Sequence, residues 1–132
     1  MLDKLNHIGI AVTDIESAAR LYRDVLGLEV IGEEVVEDQK VRTLKLKVGE
    51  VTIELLEPTA ADSPISKFLE KRGGGIHHLA YDVEDLEATL AKLKDAGLQL
   101  IDEEPRIGAG GHRIAFVHPK ATAGVLTELI EE

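Results

Sequence analysis

The stretch His7-Ile8-Gly9-Ile10-Ala11-Val12-Thr13-Asp14-Ile15-Glu16 lies over His78-Leu79-Ala80-Tyr81-Asp82-Val83-Glu84-Asp85-Leu86-Glu87 at a shift of 71 residues, with His, Val, Asp and Glu identical. Asp24 matches Asp95 in the same register. After a slip of one residue, Gly27-Leu28-Glu29-Val30-Ile31-Gly32-Glu33-Glu34 lies over Gly97-Leu98-Gln99-Leu100-Ile101-Asp102-Glu103-Glu104. A repeat of this length sets the architecture before any single motif does.

Each copy reads alike. Ile8, Ile10 and Val12 alternate with His7, Gly9 and Ala11, the period of a half-buried strand. Thr13-Asp14-Ile15-Glu16 resembles a capping box, and Ile15, Ala18, Ala19, Tyr22, Val25 and Leu26 fall on one helical stripe before Gly27. In the second copy the stripe is Leu86, Leu90 and Leu93, and the stop is Gly97. Three strands are expected after each helix, over about 28–36, 41–48 and 51–57 in the first copy and about 98–102, 112–117 and 124–130 in the second. The expected fold is α+β: one domain over 1–132, made of two βαβββ modules in tandem (about 1–57 and 75–132) joined by a linker of about 58–74. The linker carries a short helical segment, Pro64 to Lys71, that ends in Gly73-Gly74-Gly75. A pseudo-twofold pairing of the two sheets would enclose a cleft.

Composition narrows what the cleft holds. Lys and Arg number 15 against 25 Asp and Glu, a net charge of −10, which argues against nucleic-acid backbones and anionic membrane surfaces. The four aromatics, Tyr22, Phe68, Tyr81 and Phe116, are too few for a base-stacking platform. With no cysteine, disulfides, thiolate metal sites and thiol nucleophiles are excluded. The amino terminus has no signal-peptide pattern and no apolar run reaches membrane-spanning length, so a cytoplasmic protein is expected.

If Ile8, Ile10 and Val12 face the first helix, His7 faces the cleft, and His78 follows by the repeat. Val51, Ile53 and Leu55 form the apolar side of their strand, which leaves Thr52, Glu54 and Leu56 on the cleft side. The last strand repeats the pattern, with Val125, Thr127 and Leu129 opposite Leu126, Glu128 and Ile130. Taken singly, a strand histidine is usually a hydrogen-bonded structural residue and a strand glutamate a solvated one. Symmetric placement favours a joint role, because surface decoration has no reason to respect a repeat. His7, Glu54, His78 and Glu128 are therefore candidate ligands of a divalent cation such as Co²⁺, Mn²⁺, Ni²⁺, Zn²⁺, Fe²⁺ or Mg²⁺. His77 has the opposite parity and reads as structural.

Asn6-His7-Ile8-Gly9-Ile10-Ala11-Val12, Tyr22-Arg23-Asp24-Val25-Leu26-Gly27, Glu54-Leu55-Leu56-Glu57-Pro58 and Gly75-Ile76-His77-His78-Leu79-Ala80 resemble the vicinal oxygen chelate superfamily, also known as the glyoxalase/bleomycin-resistance/dioxygenase fold. Asp102 to Gly111, with His118-Pro119-Lys120 and Gly124 to Leu129, resembles one branch of it, the methylmalonyl-CoA epimerases. The resemblance covers essentially the whole chain. It implies His7, His78 and Glu128 as metal ligands, with Glu54 at a position that is Gln in some relatives. It also implies interconversion of (2R)- and (2S)-methylmalonyl-CoA by proton removal at C2, through a metal-stabilised enolate.

Inversion needs an acid/base group on each face of C2. By resemblance one is Glu128. The other is a glutamate where this chain has Thr43, which cannot abstract a carbon-bound proton unaided; His112 is a candidate substitute. Gly110 and Gly111 lack the lysine of a nucleotide-binding loop and are expected to let backbone approach the acyl group. Thr43 and Lys120 are further substrate-binding candidates, and Arg106, Lys71 and Arg72 are other basic residues near the rim. A homodimer is expected. The alternatives are a glyoxalase I-like isomerase and a metal-free binding protein of the same fold; an extradiol dioxygenase fits less well.

Overall fold

The structure is a computed structural model that describes Met1–Glu132. Its elements run β1 (Leu2–Ala11), α1 (Ile15–Ala19), a π-helical turn (Arg20–Val25), β2 (Glu29–Val36), β3 (Val41–Val48), β4 (Val51–Pro58), α2 (Pro64–Arg72), β5 (Gly75–Val83), α3 (Leu86–Asp95), β6 (Arg106–Ile107), β7 (Arg113–Val117) and β8 (Leu126–Glu131). Both halves are βαβββ, as the repeat predicts. The chain groups into two compact units, His7–His77 and Met1–Asn6 with His78–Glu132.

In the unit His7–His77 the strand order is β2-β3-β4-β1, with β1 parallel to β4 and the other neighbours antiparallel. His7 pairs with Thr52, Gly9 with Glu54 and Ala11 with Leu56, so these residues share one face. The opposite face packs Leu44, Leu46, Ile53 and Leu55 against Ile15, Ala19 and Tyr22. Asp14 is the N-cap of α1, its side chain accepting from the Glu16 N–H. The capping residue is thus one position later than the box read from Thr13.

Val25 and Leu26, expected on the buried stripe, are instead exposed at 75% and 57%. The helix widens after Ala19 into a π turn, closed by the Leu26 N–H donating to the Leu21 carbonyl. This turn lies just where the repeat slips, between Asp24/Asp95 and Gly27/Gly97. Module one has one residue more than module two there, and a π turn is how a helix absorbs a single inserted residue.

In the other unit the order is β5-β8-β7-β6, and the first residues of β1 belong with it. The Asn6 amide donates to Asp82 and Glu132. Leu86, Leu90 and Leu93 of α3 cover Val83, Ala115, Val117 and Leu129. Ala80, Ile114 and Ile130 form the opposite face, with Phe116 beside them. The strand expected over 98–102 does not form. Only Leu100 bridges to Val117, and the strand paired with β7 is the two-residue β6. The Ile101 and Asp102 amides both donate to the Phe116 carbonyl, and the Asp102 carboxylate in turn accepts from the Phe116 N–H, so side chain replaces part of a ladder. The last strand begins at Leu126 rather than 124, after Ala123 and Gly124 have turned through positive φ.

A second duplicated device locks each helix to its sheet. Glu57, at the end of β4, accepts from the Ile15 N–H at 2.9 Å, and Arg42 spans Glu57, Glu33 and Glu16. Glu131, at the end of β8, accepts from the Leu86 N–H at 2.8 Å, and Arg113 spans Glu131 and Glu87. In each case a carboxylate satisfies an orphan amide at the positive end of a helix. Losing a charged hydrogen bond of this kind costs about 1.5–3 kcal/mol. Glu57→Ala and Glu131→Ala should each lower the urea midpoint with an unchanged slope.

Candidate metal centre

In the unit His7–His77, His7 and Glu54 sit on adjacent strands of the face turned away from α1. Nδ1 of His7 lies 3.2 Å from Oε2 of Glu54, with both side chains nearly buried. In the other unit, His78 on β5 and Glu128 on β8 face away from α3. Nε2 of His78 lies 3.2 Å from Oε1 of Glu128, again with both nearly buried. The strand parity read from sequence therefore holds for all four residues, and each unit brings its own histidine and glutamate together.

Burying a carboxylate is expensive without compensation, and each unit buries a glutamate beside a histidine at a matching place, with Asp82 buried besides. The donor set is imidazole nitrogen and carboxylate oxygen, with no sulfur, which suits first-row divalent cations. The spacing fits as well. Two cis ligands with bond lengths of roughly 2.0–2.2 Å have donor atoms about 3 Å apart, so a 3.2 Å nitrogen–oxygen pair can close on one ion with little movement.

Aromatic packing surrounds His78. Phe116 meets the His78 ring edge-on, with centroids 6.1 Å apart, and the Arg106 guanidinium lies 5.3 Å from the Phe116 ring centre. Arg106 Nε is buried without a hydrogen-bond partner, 3.3 Å from Asp102 Oδ2. His77 packs edge-on against Phe68, as its parity predicts.

Thr43 is buried on the same face as Glu54. Gly110 and Gly111 have φ of +72° and +78°, a left-handed turn that favours glycine. Gly108 lies so close to Ile114 that a Cβ would come within 2.5 Å of its side chain. His112 shares parity with Ile114 and Phe116 but is exposed, just before β7 begins. Lys120 is exposed in a short turn, its N–H donating to Nδ1 of His118. No helix is long and apolar enough to cross a membrane.

Sequence reasoning missed the Glu34–Lys45 pair and the two arginine clamps. The clamps were signalled by the repeat: Glu16 maps on Glu87 and Arg42 on Arg113 at the same shift, and Glu54-Leu55-Leu56-Glu57 matches Glu128-Leu129-Ile130-Glu131.

Residues 6–116 match the model of the glyoxalase/bleomycin resistance protein/dioxygenase superfamily. The chain belongs to this superfamily, in the branch that holds the methylmalonyl-CoA epimerases. An ethylmalonyl-CoA/methylmalonyl-CoA epimerase of Cereibacter sphaeroides is 45% identical over 131 residues, covering 98% of both chains. A solved methylmalonyl-CoA epimerase in complex with methylmalonyl-CoA and NH4+ is 42% identical with a TM-score of 0.94, covering 100% of this chain and 96% of that one. A variant of the Streptomyces coelicolor methylmalonyl-CoA epimerase in complex with 2-nitronate-propionyl-CoA superposes equally well, at 42% identity with the same coverage.

Proposed function

We propose that this chain is a metal-dependent epimerase that interconverts (2R)- and (2S)-methylmalonyl-CoA, with His7, Glu54, His78 and Glu128 holding one divalent cation. The observation that carries the reading is the duplication of a buried histidine–glutamate pair at matching places in both modules. His7, His78 and Glu128 alone already form a donor set that could hold a metal ion. The relatives supply the substrate class. Bound there, a divalent cation such as Co²⁺ would polarise the thioester carbonyl and favour negative charge on its oxygen.

The chain's own groups do the rest. The Glu128 carboxylate takes or returns the C2 proton, and the C–H electron pair moves into the enolate. A second acid/base group then serves the other face. Thr43, Gly110 and Gly111 line the acyl group, and Lys120 meets a phosphate of the CoA. The exposed Leu21, Val25 and Leu26 at the π turn support a homodimer.

The test is proton NMR in D₂O with (2R)-methylmalonyl-CoA and the Co²⁺-loaded protein. Loss of the C2–H signal together with appearance of the 2S epimer supports the reading. A glutathione hemithioacetal turned over in the absence of any C2 exchange overturns it in favour of a glyoxalase-type isomerase.

A further inference from the structure

The sheet face that carries His7 holds two opposite charges that are neighbours and yet are not paired. In the register of β3 and β4, Lys45 lies directly opposite Glu54; in that of β1 and β4, Gly9 lies on its other side. Residues paired across strands share a face, with Cβ atoms about 4.5–5.5 Å apart, and opposite charges so placed attract. Of the two ladder partners of Glu54, Gly9 offers no side chain. Lys45 is therefore the neighbour placed to draw the Glu54 carboxylate away from His7. All of these residues belong to the unit His7–His77.

Lys45 turns the other way. Its stem crosses β2 at Gly32, its register partner, with Cδ 3.6 Å from where a Cβ on that glycine would stand. Its Nζ ends 3.2 Å from Oε1 of Glu34, which lies opposite Thr43 on the same face. Glu54 stays against His7. The side chains of Lys45 and Glu34 are 26% and 35% exposed, whereas that of Glu54 is nearly buried. An ion pair in the more exposed place adds little stability. Its position matters more. An ammonium beside Glu54 would occupy an oxygen that a cation needs, and would set a like charge next to that cation where water screens poorly.

We propose that Glu34 is a positioning residue for the metal centre: it holds the Lys45 ammonium off Glu54 and so keeps that carboxylate available to the cation. This rests on the metal-binding reading above and deepens it, because affinity for the cation then depends on a residue that is not a ligand. When Glu34 is neutralised, Lys45 loses its anchor and swings across β3 to Glu54, the nearest remaining carboxylate on its face. The cation then has to displace an ammonium before Glu54 can bind it.

The experiment is isothermal titration of the apo protein with Co²⁺, on variants whose urea transitions show them folded. Glu34→Gln should weaken binding by about tenfold or more, the loss typical of a residue that supports a metal ligand from outside. Adding Lys45→Met should return the affinity to within about threefold of the parent, because no ammonium is left to move. Lys45→Met alone should bind at least as tightly as the parent. In a Glu54→Gln background, Glu34→Gln should change affinity by less than about threefold, since the carboxylate that Lys45 would take is gone. A mere loss of negative charge would act equally in both backgrounds. The proposal is overturned if Glu34→Gln binds within about threefold of the parent, or if its effect is the same with Gln at position 54. It is also overturned if Lys45→Met fails to rescue Glu34→Gln, or by itself weakens binding. A parent protein with no tight Co²⁺ site would refute the metal-binding reading itself and is a separate result.

Discussion

Replacing His78 by alanine is expected to strip the protein of its cation and of its activity while leaving it folded. His78 is buried on β5 beside Glu128 and edge-on to Phe116, so on the proposed reading its loss removes one ligand and the partner of another. Losing a mere outer-shell partner of a metal ligand costs about 10–100-fold in affinity; losing the ligand itself should cost more. Metal content after dialysis and isothermal titration with Co²⁺ read the effect directly. The change also leaves the buried Glu128 without this partner, so the thermal midpoint without metal should fall, and metal content is read on protein shown to be folded. A variant that retains its cation at the parent's affinity would remove His78 from the site.

The second large effect distinguishes the two glutamates. Glu128→Gln keeps the shape of the residue but removes the group proposed to take the C2 proton, and epimerisation should fall by about 10²–10⁴-fold. Glu54→Gln should be much milder, because the carbonyl oxygen of an amide still offers a ligand next to His7 and the proposed reaction gives Glu54 no proton to move. Single-turnover rates on metal-saturated protein separate the two. Equal losses in both variants would mean that charge, and not proton transfer, is what Glu128 supplies.

Much of this was legible because a repeat carries more information than a motif. The alternation of Ile8, Ile10 and Val12 put His7 on the face away from α1, and the same parity placed Glu54, His78 and Glu128 correctly. The one-residue slip marked the π turn, but its consequence was not legible. A helical wheel drawn at 3.6 residues per turn carries Val25 and Leu26 onto the buried stripe, and the widened turn rotates both outward. Leu98 to Asp102 looked like a strand because it is apolar, yet the Leu98 amide bonds back to the Leu93 carbonyl and the Ile101 and Asp102 amides share one carbonyl of Phe116 instead of a ladder. The carboxylates of Glu57 and Glu131 reach amides 42 and 45 residues away, a pairing that local pattern does not express. The pairing of Glu34 with Thr43 was hidden for a related reason, because register depends on the turn at Glu37–Gln39 and on the bulge between Val30 and Gly32.

On the proposed reading, two copies of one histidine–glutamate pair act as a single metal centre. Titrating the apo protein with Co²⁺, and following the ligand-field absorption, measures this most directly. One equivalent per chain is expected, and His7→Ala and His78→Ala should each abolish the tight site. Two equivalents per chain, or a His7→Ala protein that still binds one equivalent at the parent's affinity, would contradict it.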